Sequence, residues 1–116
     1  MIDTVSSSIT YKEKEYKLVF NLNTMEAIQE KYETLAHWGE LTDGSAGEPD
    51  VKALIFGFQQ MLNEGIEISN EENNTNDPPL NHKQVGRIIT EVGLNSATEK
   101  IHEVVIASAG DTDPNE

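Results

Sequence analysis

From Ile9 to Phe20 the apolar positions recur at every second residue. In ITYKEKEYKLVFNL, Ile9 and Tyr11 alternate with Thr10 and Lys12, and Tyr16, Leu18 and Phe20 alternate with Lys17 and Val19. A period of two puts one set on a single face of a strand. The stretch therefore predicts a β-hairpin, with its tip at Glu13-Lys14. That tip lacks the glycine or Asn-Gly pair that favours a tight turn. Two strands alone are marginal in water, so the hairpin must lean on helices.

Beyond the hairpin the period lengthens to that of a helix. Asn23, with Glu26 three residues on, forms a capping-box-like start, and Met25, Ile28 and Tyr32 then share a face. Thr34 can cap a short second turn carrying Leu35, Trp38 and Leu41, and TDGSAGEP (42–49) is a loop by composition. Pro49 suits the first turn of the next helix, where a missing N–H costs nothing. Val51, Leu54, Ile55, Phe58, Met61 and Leu62 then form the clearest amphipathic stripe in the chain. Gly65 either ends that helix or lies inside a continuation to about Asn73. Ile66 and Ile68 favour continuation, because an interior glycine costs only about 1 kcal/mol.

Pro78-Pro79 forces a break. Asn81 with Gln84 caps a helix bearing Val85, Ile88, Ile89 and Val92, closed by Gly93. Ser96 with Glu99 caps the last, bearing Ala97, Ile101, Val104 and Val105 and ended by Gly110. The expected fold class is α+β, mostly α: an N-terminal β-hairpin followed by a small helical bundle of about four helices. The expected organisation is a flexible N-terminus over residues 1–8, one domain over 9–109 and a disordered acidic tail over 110–116.

Two apolar residues leave their stripes. Each helical residue advances about 100°, so Phe56 falls about 140° from Val51, and Ile106 about 140° from Ile101. Two readings are open. The helices are buried on two sides, by the hairpin or by Trp38, or Phe56 and Ile106 form an apolar patch for another chain. Ala53 and Gly57 flank the side of Phe56 and would let a partner backbone approach closely.

A length of 116 residues allows one domain with a modest core. The formal net charge of −13 disfavours nucleic acid and anionic membranes and permits a basic protein partner; its simplest role is solubility. With no cysteine there are no disulfides or thiolate metal sites. The first residues, MIDTVSSS, lack the basic and apolar regions of a signal peptide, and no apolar run approaches the roughly 20 residues of a membrane span. The expectation is a soluble, cytoplasmic protein.

Candidate chemistry adds little. An EF-hand loop starting at Asn70 would need glycine sixth and glutamate twelfth, but Thr75 and Asn81 stand there and Pro78-Pro79 interrupt it. His102-Glu103 opens like a zinc-protease helix, but Ile106 occupies the second histidine's place. His37 and His82 are isolated, and the many carboxylates are scattered along solvated faces. No phosphate-binding loop, dinucleotide fingerprint or nucleophile elbow is present. No catalytic residue, cofactor or metal site is expected.

The order of segments carries a resemblance. YKLVFNLNTMEAIQEKY, a short Trp-bearing turn, DVKALIFGFQQMLNEGIEISNEEN and PLNHKQVGRIITEVGL together resemble the tail assembly chaperones of long-tailed phages and Firmicutes prophages. The similarity spans roughly residues 9–106, and NEGIEISNEEN followed by VGRIITEVGL is its most distinctive part. Glu13-Lys14 departs from the glycine-containing turn expected there.

The resemblance implies a non-enzymatic protein that binds the aggregation-prone tape measure protein in the host cytoplasm. It would keep that protein soluble, help tail tube protein assemble around it, and be absent from the finished virion. Many such chaperones occur in two lengths through ribosomal frameshifting, and this chain would be the short form. The resemblance defines no functional residue, so Phe56 and Ile106 remain partner-binding candidates on helical geometry alone. Self-association is also permitted. The alternative is an acidic DNA mimic, inhibitor or adaptor that binds a basic protein partner. Such a mimic should show carboxylates in rows at phosphate-like spacing, whereas these are scattered. A small toxin–antitoxin protein and an enzyme without a recognisable motif are further readings.

Overall fold

The computed structural model describes residues 5–42 and 47–111, with side chains described over 8–42 and 47–105. Strand β1 (Val5–Tyr11) pairs antiparallel with β2 (Lys14–Phe20). Five helices follow: α1 (Leu22–Tyr32), α2 (Leu35–Thr42), α3 (Val51–Asn73), α4 (His82–Val92) and α5 (Leu94–Asp111). The expected α+β, mostly α class is what the chain adopts. The bundle has five members because the short Trp-bearing turn is a helix in its own right. The N-terminal strand begins at Val5, ahead of the expected Ile9, because Val5 pairs with Phe20 and Ser6 with Val19.

The hairpin turns at Lys12-Glu13, one residue before the expected tip. Tyr11 pairs with Lys14, and both turn residues have positive φ, 51° and 68°. That is the twist-matched two-residue turn, made here without glycine or asparagine. Left-handed backbone costs an L-residue about 1 kcal/mol. Glu13→Gly is therefore expected to stabilise the fold by roughly 0.5–1 kcal/mol, read as a higher urea midpoint. An unchanged or lower midpoint would show that the turn carries no such strain.

Ile9, Leu18 and Phe20 bury one face of the hairpin in the core. Val19, on the other face, is buried as well, in a recess shared with Ile66 and Ile68 of α3. In a hairpin closed by a two-residue loop, the backbone groups of Lys17 and Val19 turn away from β1. The Val19 carbonyl accepts the Thr24 hydroxyl at 2.9 Å. The Lys17 carbonyl meets α3 at Gly65, where a Cβ would stand 2.7 Å from that oxygen. Gly65 thus neither ends nor kinks the helix. It lets α3 run through to Asn73 while crossing the outer edge of β2.

The caps explain most of the remaining boundaries. Asn21, not Asn23, starts α1: its side chain accepts from Thr24 N–H at 3.2 Å and donates to Glu64 of α3 at 2.8 Å. That second bond ties the cap to the core helix, and Asn23, two residues on, donates to the same Glu64 oxygen at 3.1 Å. Thr34 caps α2 through His37 N–H at 3.0 Å. Asp50 caps α3 through Ala53 N–H at 3.1 Å, so Pro49 precedes the helix rather than lying in its first turn. Val51, expected on the buried stripe, is 53% exposed at that first position, while Leu54, Phe58, Met61 and Leu62 are fully buried.

Asn81 and Gln84 form the expected reciprocal capping box on α4. Gly93, at φ 101°, reverses the chain in one residue, so α5 begins at Leu94 and the expected cap at Ser96 lies within its first turn. The helix runs one residue past Gly110 to Asp111.

The core joins the hairpin to all five helices. Ile28 of α1, Trp38 of α2, Val85, Ile88 and Ile89 of α4, and Ala97, Ile101 and Val104 of α5 surround the stripe of α3.

Candidate functional site

Phe56 is the sequence-derived candidate that can be placed in full. Its ring is half-buried, because α1 covers that side of α3. Tyr32 meets it edge-on, with ring centroids 5.7 Å apart at 67°, and the Lys31 ammonium lies 4.9 Å from its centroid. Burial pushes the Tyr32 phenol up from its ordinary value, and the Asp50 carboxylate adds to the rise. Phe56 is thus engaged within its own chain by Tyr32 and Lys31, which favours the reading in which α3 is covered on two sides. Ala53 and Gly57 do receive a close neighbour, but it is Trp38. The indole N–H donates to the Ala53 carbonyl at 3.0 Å, and a Cβ on Gly57 would stand 2.2 Å from Trp38 Cζ2. The Ile106 side chain lies outside the described residues.

The acidic stretch after Gly65 continues α3 to Asn73, and the chain then returns along it. Asn70, the first position of the rejected calcium loop, spends its amide on backbone. Its Oδ1 accepts from Asp77 N–H at 3.0 Å and from the Thr75 hydroxyl at 2.9 Å, and its Nδ2 donates to the Asp77 carbonyl at 3.1 Å. Asn63 treats Leu80 the same way, accepting from its N–H at 2.7 Å and donating to its carbonyl at 3.1 Å. Two helical turns rise about 10.5 Å, and three extended residues span about 9–10 Å. Asparagines seven apart on α3 therefore meet backbone groups three apart on the returning segment. Pro78 and Pro79, between the two clamps, have no N–H to satisfy. Among the described residues no three His, Asp or Glu side chains gather to hold a metal ion, and no helix is long and apolar enough to cross a membrane.

Among the described residues a recess of about 280 Å³ lies on α1 beside Leu22 and Met25, and two larger ones lie elsewhere. One, of about 380 Å³, lies between β2 and the second half of α3 and mixes Lys14 and Lys17 with Glu72 and Asp77. The other, of about 440 Å³, lies between α2 and α5 and is mostly apolar. The second exists because of how its two walls are held. Helix α2 packs on α1 and α3, whereas α5 packs on α4 and the hairpin, and a gap is left between the two. Leu35, Ala36, Trp38 and Gly39 line one wall, and Ile101 and Val105 the other. Trp38 and Ile101 are buried and form its floor. Glu40 and His102 are its charged or ionisable lining groups, and both are exposed.

Sequence reasoning missed this groove, although Trp38, Ile101 and Val105 each stood on a recognised stripe. What it lacked was the angle between two helices that never become neighbours in the chain. No known family, curated protein or solved structure matches the chain.

Proposed function

We propose that this chain is a non-enzymatic tail assembly chaperone of the long-tailed phage type. In this reading it binds the tape measure protein in the host cytoplasm, keeps it soluble while tail tube protein assembles around it, and does not remain in the virion. Two features support the reading: the order of segments over roughly residues 9–106, and an apolar groove on a strongly acidic body. The groove is the observation that carries it furthest. A holdase needs an apolar surface to hold its client and enough charge to keep the complex dispersed; here the groove offers the first and a net charge of −13 the second.

The test is co-expression with the tape measure protein of the same genome. The expected result is co-purification and a several-fold rise in the soluble fraction of that protein. No interaction and no gain in solubility would count against the proposal.

A further inference from the structure

We infer that the α2–α5 groove is the client-binding surface and that it takes a basic amphipathic helix, whose apolar side chains enter between Trp38 and Val105. The inference rests on the chaperone reading and names the site and the chemistry of its occupant. The groove is apolar along its floor and carries Glu40 on its rim, with no lysine or arginine among its described lining residues. Glu99 and Glu103, both exposed, lie on the same helix as its α5 wall but do not line the groove, and Lys100 lies between them. A helix seated in such a groove would place apolar residues at i, i+3 and i+4 inward and its cations toward Glu40 and the acidic body around it.

The occupant's charge is set by the whole chain as well. At a net charge of −13, a second copy or an acidic segment meets long-range repulsion, while a basic segment is steered in. A free helix with apolar and basic faces is also a species that aggregates unless its apolar face is covered.

The groove supplies its own reporter. Trp38 is the only tryptophan in the chain and forms part of the groove floor. An apolar side chain entering the groove should therefore change the emission of the full-length protein. The probe is an 18-residue Leu/Lys peptide with leucines at helical spacing, compared with its Leu/Glu counterpart, at 0.15 M salt. The expected result is saturable binding of the Leu/Lys peptide with a shift in Trp38 emission, and at least tenfold weaker binding of the Leu/Glu peptide. Ala36→Arg and Glu40→Lys alter exposed groove residues, so the fold should persist. Each should weaken Leu/Lys binding about tenfold, whereas Glu67→Lys, the same charge change on exposed α3 surface, should change it less than twofold.

Three outcomes overturn the inference. Equal loss with Glu67→Lys would mean general attraction to an acidic surface. Equal binding of both peptides would mean that charge does not select the occupant. A dimer in sedimentation that Ala36→Arg dissociates would mean that a second copy fills the groove. Co-expression separates this inference from the reading beneath it. If the wild type solubilises the tape measure protein and the groove variants do so equally well, the groove assignment fails alone. If the wild type does not, the chaperone reading fails, whatever the peptide does.

Discussion

Gly57→Ala is expected to destabilise the protein by about 3 kcal/mol and to lower its melting temperature by roughly 10 °C. Helix propensity argues the other way, since alanine in a helix interior is favoured over glycine by about 1 kcal/mol. Packing decides the sign. The new methyl carbon would lie 2.2 Å from Cζ2 and 2.9 Å from Cε2 of Trp38. Neither side can yield easily. The indole is 1% exposed and its N–H is held by the Ala53 carbonyl at 3.0 Å, while α3 is locked between the hairpin and α1. Gly39→Ala is the matched comparison, because nothing lies within 4 Å of the Cβ it would add. That variant should be neutral or gain up to about 1 kcal/mol.

A Gly57→Ala protein as stable as the wild type would refute the close packing of Trp38 on α3. A double variant gives a second check. Trp38→Leu alone opens a cavity and should be strongly destabilising. Combined with Gly57→Ala it should cost less than the two single losses added together, because the methyl group fills space that the indole has vacated. The same contact bears on function. It sets the depth of the α2–α5 groove, because the indole that fills the gap over Gly57 is also the groove's floor.

Much of this arrangement was written in short-range pattern. The period-two alternation located the hairpin. The stripes on α3 and α4 named Leu54, Phe58, Met61, Leu62, Val85, Ile88 and Ile89 as buried, though not Ala53 and Gly57, and Thr34 and Asn81 with Gln84 marked true helix starts. Each of those signals is decided within a few residues. The misplacements arose where a distant group intervened. Asn21, not Asn23, caps α1 by accepting from Thr24 N–H, and Glu64 on another helix accepts from the amides of both asparagines. Val19 was buried from the outer face of the hairpin because α3 continues past Gly65 and covers it.

Phe56 is the most instructive case. Helical geometry put it off the main stripe, and that is where it lies. Geometry within one helix cannot say whether α1 or an outside partner covers that side; in the fold Tyr32 and Lys31 of α1 lie against the ring. The turn at Lys12-Glu13 shows the reverse limit. The register of the strands forces positive φ on residues whose side chains do not favour it, so local preference pointed one residue too late. The groove lies further from view still, since it depends on two helices that are held by different neighbours.

Asn63→Leu is expected to destabilise the protein by about 2 kcal/mol, although leucine is the better helix former. The loss comes from what is left behind. Asn63 gives the Leu80 N–H its acceptor at 2.7 Å and shares the Leu80 carbonyl with Gln59, each donating at 3.1 Å. With the amide gone, the carbonyl keeps Gln59 but the part-buried N–H has lost its acceptor, at a cost of about 1–3 kcal/mol. Asn70→Leu makes the same change one clamp further along, where the bonds to Asp77 are exposed and water can replace them. It should cost less than about 1 kcal/mol. The contrast tests the clamp rather than asparagine content.

Hydrogen exchange locates the effect. Leu80 carries the first amide after two prolines, so its protection reports the Asn63 bond directly. In Asn63→Leu that amide should exchange by local opening, while the amides of α4 slow or speed only with global stability. Protection at Leu80 matching that of α4 in the variant, together with a stability loss under about 0.5 kcal/mol, would show that Leu80 is held by its contacts with the core alone. If the clamp is real, the returning segment is fixed in register along α3 by side-chain amides that imitate a strand. That register is what delivers Asn81 to the start of α4, and through Gly93 it sets where α5 must lie to form the far wall of the groove.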